Sequence, residues 1–190
     1  EKAFDYPGIG AWEKQDFHED WIIPPFKPMT VEKEENGFKA AFSVSESAWK
    51  GAWPKAVVAA GEELLAEPTA LIADGKEVGP LDVGLETVKP HRITWTAADA
   101  DRSLVSKGWL EYDGVNWNEG AYTPSVPMGS LELKCVFKAS EAKYLHMTAG
   151  ASWGVARTEK IEEGVREYGP FATFWVGGEE RGYCLFYETR

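Results

Sequence analysis

Apolar and polar residues alternate along much of this chain, and a two-residue period commits a segment to a strand with one buried and one wet face. Phe38, Ala40, Phe42 and Val44 fall on one side of such a segment, with Lys39 and Ser43 on the other. Ile93 and Trp95 alternate with Arg92, Thr94 and Thr96 in the same way. Leu131, Leu133, Cys135 and Phe137 are set against Glu132, Lys134 and Lys138, which predicts an inward-facing Cys135. Near the end, the apolar runs 171–176 and 182–188 flank Gly177-Gly178-Glu179-Glu180-Arg181 and predict a closing hairpin.

Two segments read as helix. Between Pro54 and Glu67, apolar side chains recur at Val57, Val58, Leu64 and Leu65; Pro54 suits a first helical position and Pro68 a stop. From Glu159 to Tyr168, Thr158 offers an N-cap and Gly169 a C-terminal stop. Alternating βα units and internal repeats are missing. The fold class expected is therefore mainly β: an antiparallel β-barrel or β-sandwich with one or two short helices and an extended N-terminal arm.

A chain of 190 residues suits a single core, so residues 36–190 are expected to form one β-rich domain. Residues 1–35 read as the arm, rich in aromatics, Pro and charge and without a sustained period. Trp12, Phe17, Trp21, Ile22, Ile23 and Phe26 make it too apolar to float in water, since burying each such side chain yields about 1.5–3 kcal/mol. It should lie against its own domain. The alternative is a partner assembly, with Trp12, Trp21 and Phe26 as the contacts.

Charge and motifs exclude several classes. A formal net charge of −11 argues against a grip on a DNA or RNA backbone, which needs clustered Lys and Arg. No apolar run approaches the roughly 20 residues of a membrane-spanning helix. The start at Glu1 fits a mature product exported, or delivered to an organelle lumen, after removal of a targeting segment, or a trimmed chain. Cys135 and Cys184 could pair in an oxidising compartment or remain thiols. With His18, His91 and His146 they have no metal-ligand spacing, and neither a GxGxxG nor a GxxxxGK[ST] loop occurs, so no metal or other cofactor is expected.

Catalytic constellations are sparse. His91 with Asp99 or Asp101, or His146 near Thr148 and Ser152, could transfer protons only within about 3 Å. His146 alternates with Tyr144 and Thr148, which fits a hydrogen-bonded histidine in a sheet. Ser152-Trp153-Gly154 lacks the GxSxG elbow of a serine hydrolase. No catalytic residue is assigned.

Nine tryptophans must serve as core anchors, ligand platforms or partner contacts. The sharpest constellation lies in Trp109-Leu110-Glu111-Tyr112-Asp113-Gly114-Val115-Asn116-Trp117-Asn118. A two-residue type I′ turn at Asp113-Gly114 would place Leu110, Tyr112, Val115 and Trp117 on an inward face. Trp109, Glu111, Asn116 and Asn118 would share the other, a ring beside amide and carboxylate groups such as a sugar requires. A one-residue register slip would exchange the faces.

Three functions follow as expectations. The first is a non-catalytic binding or accessory protein that docks a carbohydrate, another small molecule or a larger assembly through that sheet face or the arm. The second is a structural subunit of a complex. The third is a calycin-like barrel whose cavity carries or isomerises a hydrophobic small molecule.

Overall fold

The computed structural model describes residues 20–43, 45–149, 156–165 and 171–186. Within them the chain runs through β1 (Thr30–Glu34), β2 (Gly37–Phe42), β3 (Ser45–Trp49), β4 (Pro54–Ala59), β5 (Glu62–Glu63), β6 (Leu65–Ala73), β7 (Lys76–Glu77) and β8 (Leu81–Val88). It continues through β9 (Arg92–Asp99), β10 (Leu104–Glu111), β11 (Asn116–Tyr122), β12 (Leu131–Phe137), β13 (Tyr144–Ala149), β14 (Ala156–Lys160), β15 (Phe171–Gly177) and β16 (Gly182–Phe186). These strands form four sheets, ordered β1-β2-β3-β4-β5, β11-β10-β9-β8, β12-β6-β7 and β14-β13-β15-β16. Every pairing is antiparallel. No sheet closes on itself, so the arrangement is sandwich-like rather than a barrel.

The alternation in β2 and β9 builds the core as expected. Phe38, Ala40 and Phe42 from β2 meet Ile93 and Trp95 from β9, with Met29, Trp49 and Leu110 completing the cluster. Trp95 lies at its centre, with its ring centroid 4.7 Å from that of Trp49 and 5.1 Å from that of Phe38. Each such aromatic pair contributes about 0.5–1.5 kcal/mol beyond area burial. A second cluster joins Val57, Leu64 and Leu65 to Phe137 and Tyr183.

Glycine makes room for the central ring. Gly108 of β10 pairs directly with Trp95, and a Cβ there would run into the six-membered ring of Trp95 and the amide oxygen of Asn118. The same device recurs where Trp175 covers Gly177 and Gly182 at the end of the β15–β16 hairpin.

Neither expected helix is present among the described residues. The segment from Pro54 to Glu67 is instead β4, a turn, β5 and the start of β6. Ala60 (φ 50°) and Gly61 (φ 83°) both adopt the left-handed region between the paired residues Ala59 and Glu62, which is a type I′ hairpin turn. The Glu63 carboxylate then accepts backbone N–H bonds from Val57 (2.9 Å) and Leu65 (3.0 Å), where β5 gives way to β6. Helix propensity in Ala-Ala-Gly-Glu-Glu lost to a hairpin that buries Val57, Leu64 and Leu65 together. In the second segment, 156–160 is β14 and 161–165 is irregular, while Arg166, Glu167 and Tyr168 lie outside the described residues. Thr158 is a ladder residue, not an N-cap.

The row Leu131, Leu133, Cys135, Phe137 is only half inward. Leu131 and Leu133 stand 46% and 49% exposed on an edge strand, and pairing with β6 becomes irregular only between Lys134 and Phe137. Beyond that break Cys135 and Phe137 are partly buried. The closing hairpin forms as expected from β15 and β16.

The arm joins the domain at its C-terminal end. Met29 is buried with its N–H donating to the Pro90 carbonyl (2.7 Å), and Lys27 N donates to Ser43 Oγ (3.2 Å). The Phe26 ring meets Tyr112 edge-on at 5.5 Å. Thr30–Glu34, read as arm from the sequence, is β1 of the first sheet. Trp12 and Phe17 lie outside the described residues. No helix among the described residues is long and apolar enough to cross a membrane.

Arg181 ties the last hairpin to the first sheet. Its Nε lies 3.1 Å from Glu141, and a terminal nitrogen reaches the carbonyl oxygens of Ala59 (3.5 Å) and Ala60 (3.3 Å). Arg181→Met is expected to destabilise the fold by about 2 kcal/mol, less than for a fully buried pair because both side chains keep some solvent contact. Urea denaturation checks this, and an unchanged midpoint would show the clamp to be idle.

Candidate functional site

The hairpin at Asp113-Gly114 differs from expectation by one residue. Glu111 N donates to Val115 O (2.9 Å) and Gly114 N to Glu111 O (3.0 Å), with Gly114 at φ 94°, so the loop has three residues and a bulge. Asp113 serves the turn, its Oδ1 accepting from Val115 N at 3.0 Å. The cause is tertiary: Tyr112, expected to pair with Val115, donates its N–H to His91 O (3.1 Å) and packs on Phe26.

The register is therefore Leu110 with Asn116, Trp109 with Trp117 and Gly108 with Asn118. This separates the four side chains expected to form one binding face. Trp109 and Glu111 remain on the outer face, where the Arg92 guanidinium stacks 4.6 Å from the Trp109 ring centroid and lies 3.3 Å from the Glu111 carboxylate. Asn116 and Asn118 move to the side of Leu110, toward the interior.

There they join a cleft of about 590 Å³ between the first sheet, the β10–β11 hairpin, β12 and β16. Ser45, Ser47 and Trp49 enter from β3, Trp53 from the following loop, Asn116 to Asn118 from β11, and Tyr183 to Phe186 from β16. Trp117 and Phe186 pack with ring centroids 5.4 Å apart at the wall. Ser47 accepts the Trp49 indole N–H at 2.8 Å, which leaves its own hydroxyl hydrogen to donate elsewhere.

Asn118 Oδ1 is buried beside Gly108 and finds no hydrogen-bond partner among the described residues, as do Trp95 Nε1 and Ser106 Oγ. Trp95, Gly108 and Asn118 lie side by side across the second sheet, so a buried donor and a buried acceptor flank the same glycine.

Two titratable groups in the wall, Tyr183 and Cys184, favour their neutral forms. Burial pushes the Tyr183 phenol up to about 12, opposed in part by a hydrogen bond with Asn116. Burial also raises the Cys184 thiol, and raises Cys135, whose Sγ lies 3.7 Å from Thr69 Oγ1. Both cysteines are free thiols.

The His91–Asp99 pair suggested by sequence is not assembled. His91 and Asp99 flank opposite ends of β9, which at about 3.3 Å per residue keeps them far outside hydrogen-bond reach. Burial raises the Asp99 carboxyl, but hydrogen bonds from Ser103 Oγ (2.5 Å) and Leu104 N (2.8 Å) outweigh it and hold the group below its ordinary range. His146 Nδ1 lies 2.6 Å from Thr158 Oγ1, its cross-strand partner, while Ser152 lies outside the described residues. Among the described residues no group of three or more His, Cys, Asp or Glu is placed to hold a metal ion.

Of the four side chains first singled out, Asn116 and Asn118 belong to the cleft, and Trp109 and Glu111 do not. Trp117, expected on the inward face with Leu110, instead stands opposite Trp109 and still reaches the cleft, while Trp53, Tyr183 and Phe186 join from two distant stretches without a shared sequence signal. Comparison with protein-family models, with curated proteins and with solved structures finds no match in any of the three.

Proposed function

We propose that this chain is a non-catalytic binding protein whose cleft takes a glycan or a similarly amphipathic small molecule. The observation that carries this is the convergence of Trp53, Trp117 and Phe186 with Asn116, Asn118 and the β3 serines around about 590 Å³. That volume falls within the roughly 300–1,000 Å³ of small-molecule sites. Sugars present apolar C–H faces and equatorial hydroxyls, which rings and amides respectively satisfy.

Substituting Trp117→Ala is expected to weaken binding of a neutral oligosaccharide at least about tenfold, in line with the energetic weight of a central aromatic anchor. Trp109→Ala, which pairs with Trp117 across the ladder but does not line the cleft, should leave affinity unchanged. Calorimetric titration against an oligosaccharide set distinguishes them, and sensitivity to Trp109 alone would move the site to the outer face.

The exposed Trp21 (65%) and Ile23 (61%) support a second role, anchoring the chain on a larger assembly through the arm. A monodisperse monomer whose size is unchanged by Ile23→Asp would count against it.

A further inference from the structure

We infer that the cleft is selective for uncharged glycans and discriminates against the same chains bearing carboxylate or sulfate groups. This rests on the proposed cleft and specifies the chemistry of its occupant.

Among the described residues no Lys, Arg or His lines the cleft, and its one carboxylate is Asp113. Several cations carried by the surrounding elements are engaged elsewhere. Lys55 of β4 lies 2.5 Å from Glu34, Lys134 of β12 lies 2.7 Å from Glu67, and Arg92 of β9 is held by Glu111 and Trp109 on the far face. Arg181, at the turn that leads into β16, is occupied by Glu141 and Glu180. Lys50 sits exposed between β3 and Trp53 but does not line the cleft.

An anionic occupant would therefore surrender its hydration among rings, amides and hydroxyls without gaining a counter-charge. It would also enter against Asp113 and the field of a chain with net charge −11. A neutral sugar meets neither cost. Its hydroxyls exchange water for Asn116, Asn118 and Ser45, while its C–H face covers the indoles. The Tyr183 phenol and the Cys184 thiol stay protonated at neutral pH and add no charge of either sign.

The test pairs neutral oligosaccharides with counterparts of identical linkage and length oxidised to carboxylate at C6, titrated calorimetrically into the full chain at low salt. Neutral members should bind at least about tenfold more tightly than their oxidised partners, and added salt should narrow the gap by screening. Asp113→Asn keeps the side-chain oxygen that accepts from Val115 N and removes the charge. It should narrow the gap between the two by improving the affinity of the oxidised chain relative to its neutral partner. Equal affinity for the two members of a pair in the wild type would overturn the selectivity while leaving the binding function standing. Binding of neither, across the set, would overturn the cleft as a glycan site.

Discussion

Gly108→Ala is expected to lower the unfolding free energy by about 3 kcal/mol, the upper part of the range for overpacking a close-packed interior. The added methyl would occupy the position where the Trp95 ring and the Asn118 amide oxygen already lie. Trp95 cannot step aside, because Trp49 and Phe38 hold it on other sides at 4.7 and 5.1 Å. Equilibrium urea denaturation followed by tryptophan fluorescence measures the loss. The pair Gly108→Ala and Trp95→Phe should be non-additive, since the smaller ring vacates part of the methyl's space. A Gly108→Ala variant as stable as the wild type, or strictly additive penalties, would show that the ring does not need the glycine beneath it.

Between pH 10 and pH 12 the protein should lose about 2–3 kcal/mol of stability on account of Tyr183, whose phenol is raised to about 12. Below the ordinary tyrosine range both folded and unfolded chains keep this proton, so pH has no leverage through it. Above that range the unfolded chain releases the proton while the folded chain holds it. Unfolding is then favoured as pH rises, until the folded form titrates as well. The measurement compares wild type with Tyr183→Phe across the same pH series, which isolates the contribution of this one group. The variant should show a shallower alkaline decline; parallel curves would mean that Tyr183 ionises in the fold as readily as in water.

How far the fold could be read from the chain depends on whether local and long-range forces agree. In β2 and β9 they do: the period-two rows Phe38-Ala40-Phe42 and Ile93-Trp95 are the buried faces because both sides of the sandwich need them. Around Ala60-Gly61 they conflict, and the hairpin prevails because it delivers Val57 and Leu65 to one cluster. In β12 the alternation is real, but Leu131 and Leu133 belong to an edge strand and stay half exposed.

The candidate site shows the same division at finer scale. The β10–β11 hairpin and its Asp-Gly turn are visible in the sequence. The length of the loop is not, because it depends on Tyr112 being drawn to His91 and Phe26. With a side-chain period of two, that single residue sends Asn116 and Asn118 to one face and leaves Trp109 and Glu111 on the other.

The order of apolar and polar residues thus determined that this chain pleats into two-faced antiparallel strands around indole rings, since that choice depends only on near neighbours. Which strand edges meet, which register the hairpin takes and which rings line the cleft were decided only by tertiary packing. Those outcomes turn on contacts between residues far apart in the chain, such as Phe26 with Tyr112 and Trp117 with Phe186, whose energies no local pattern contains.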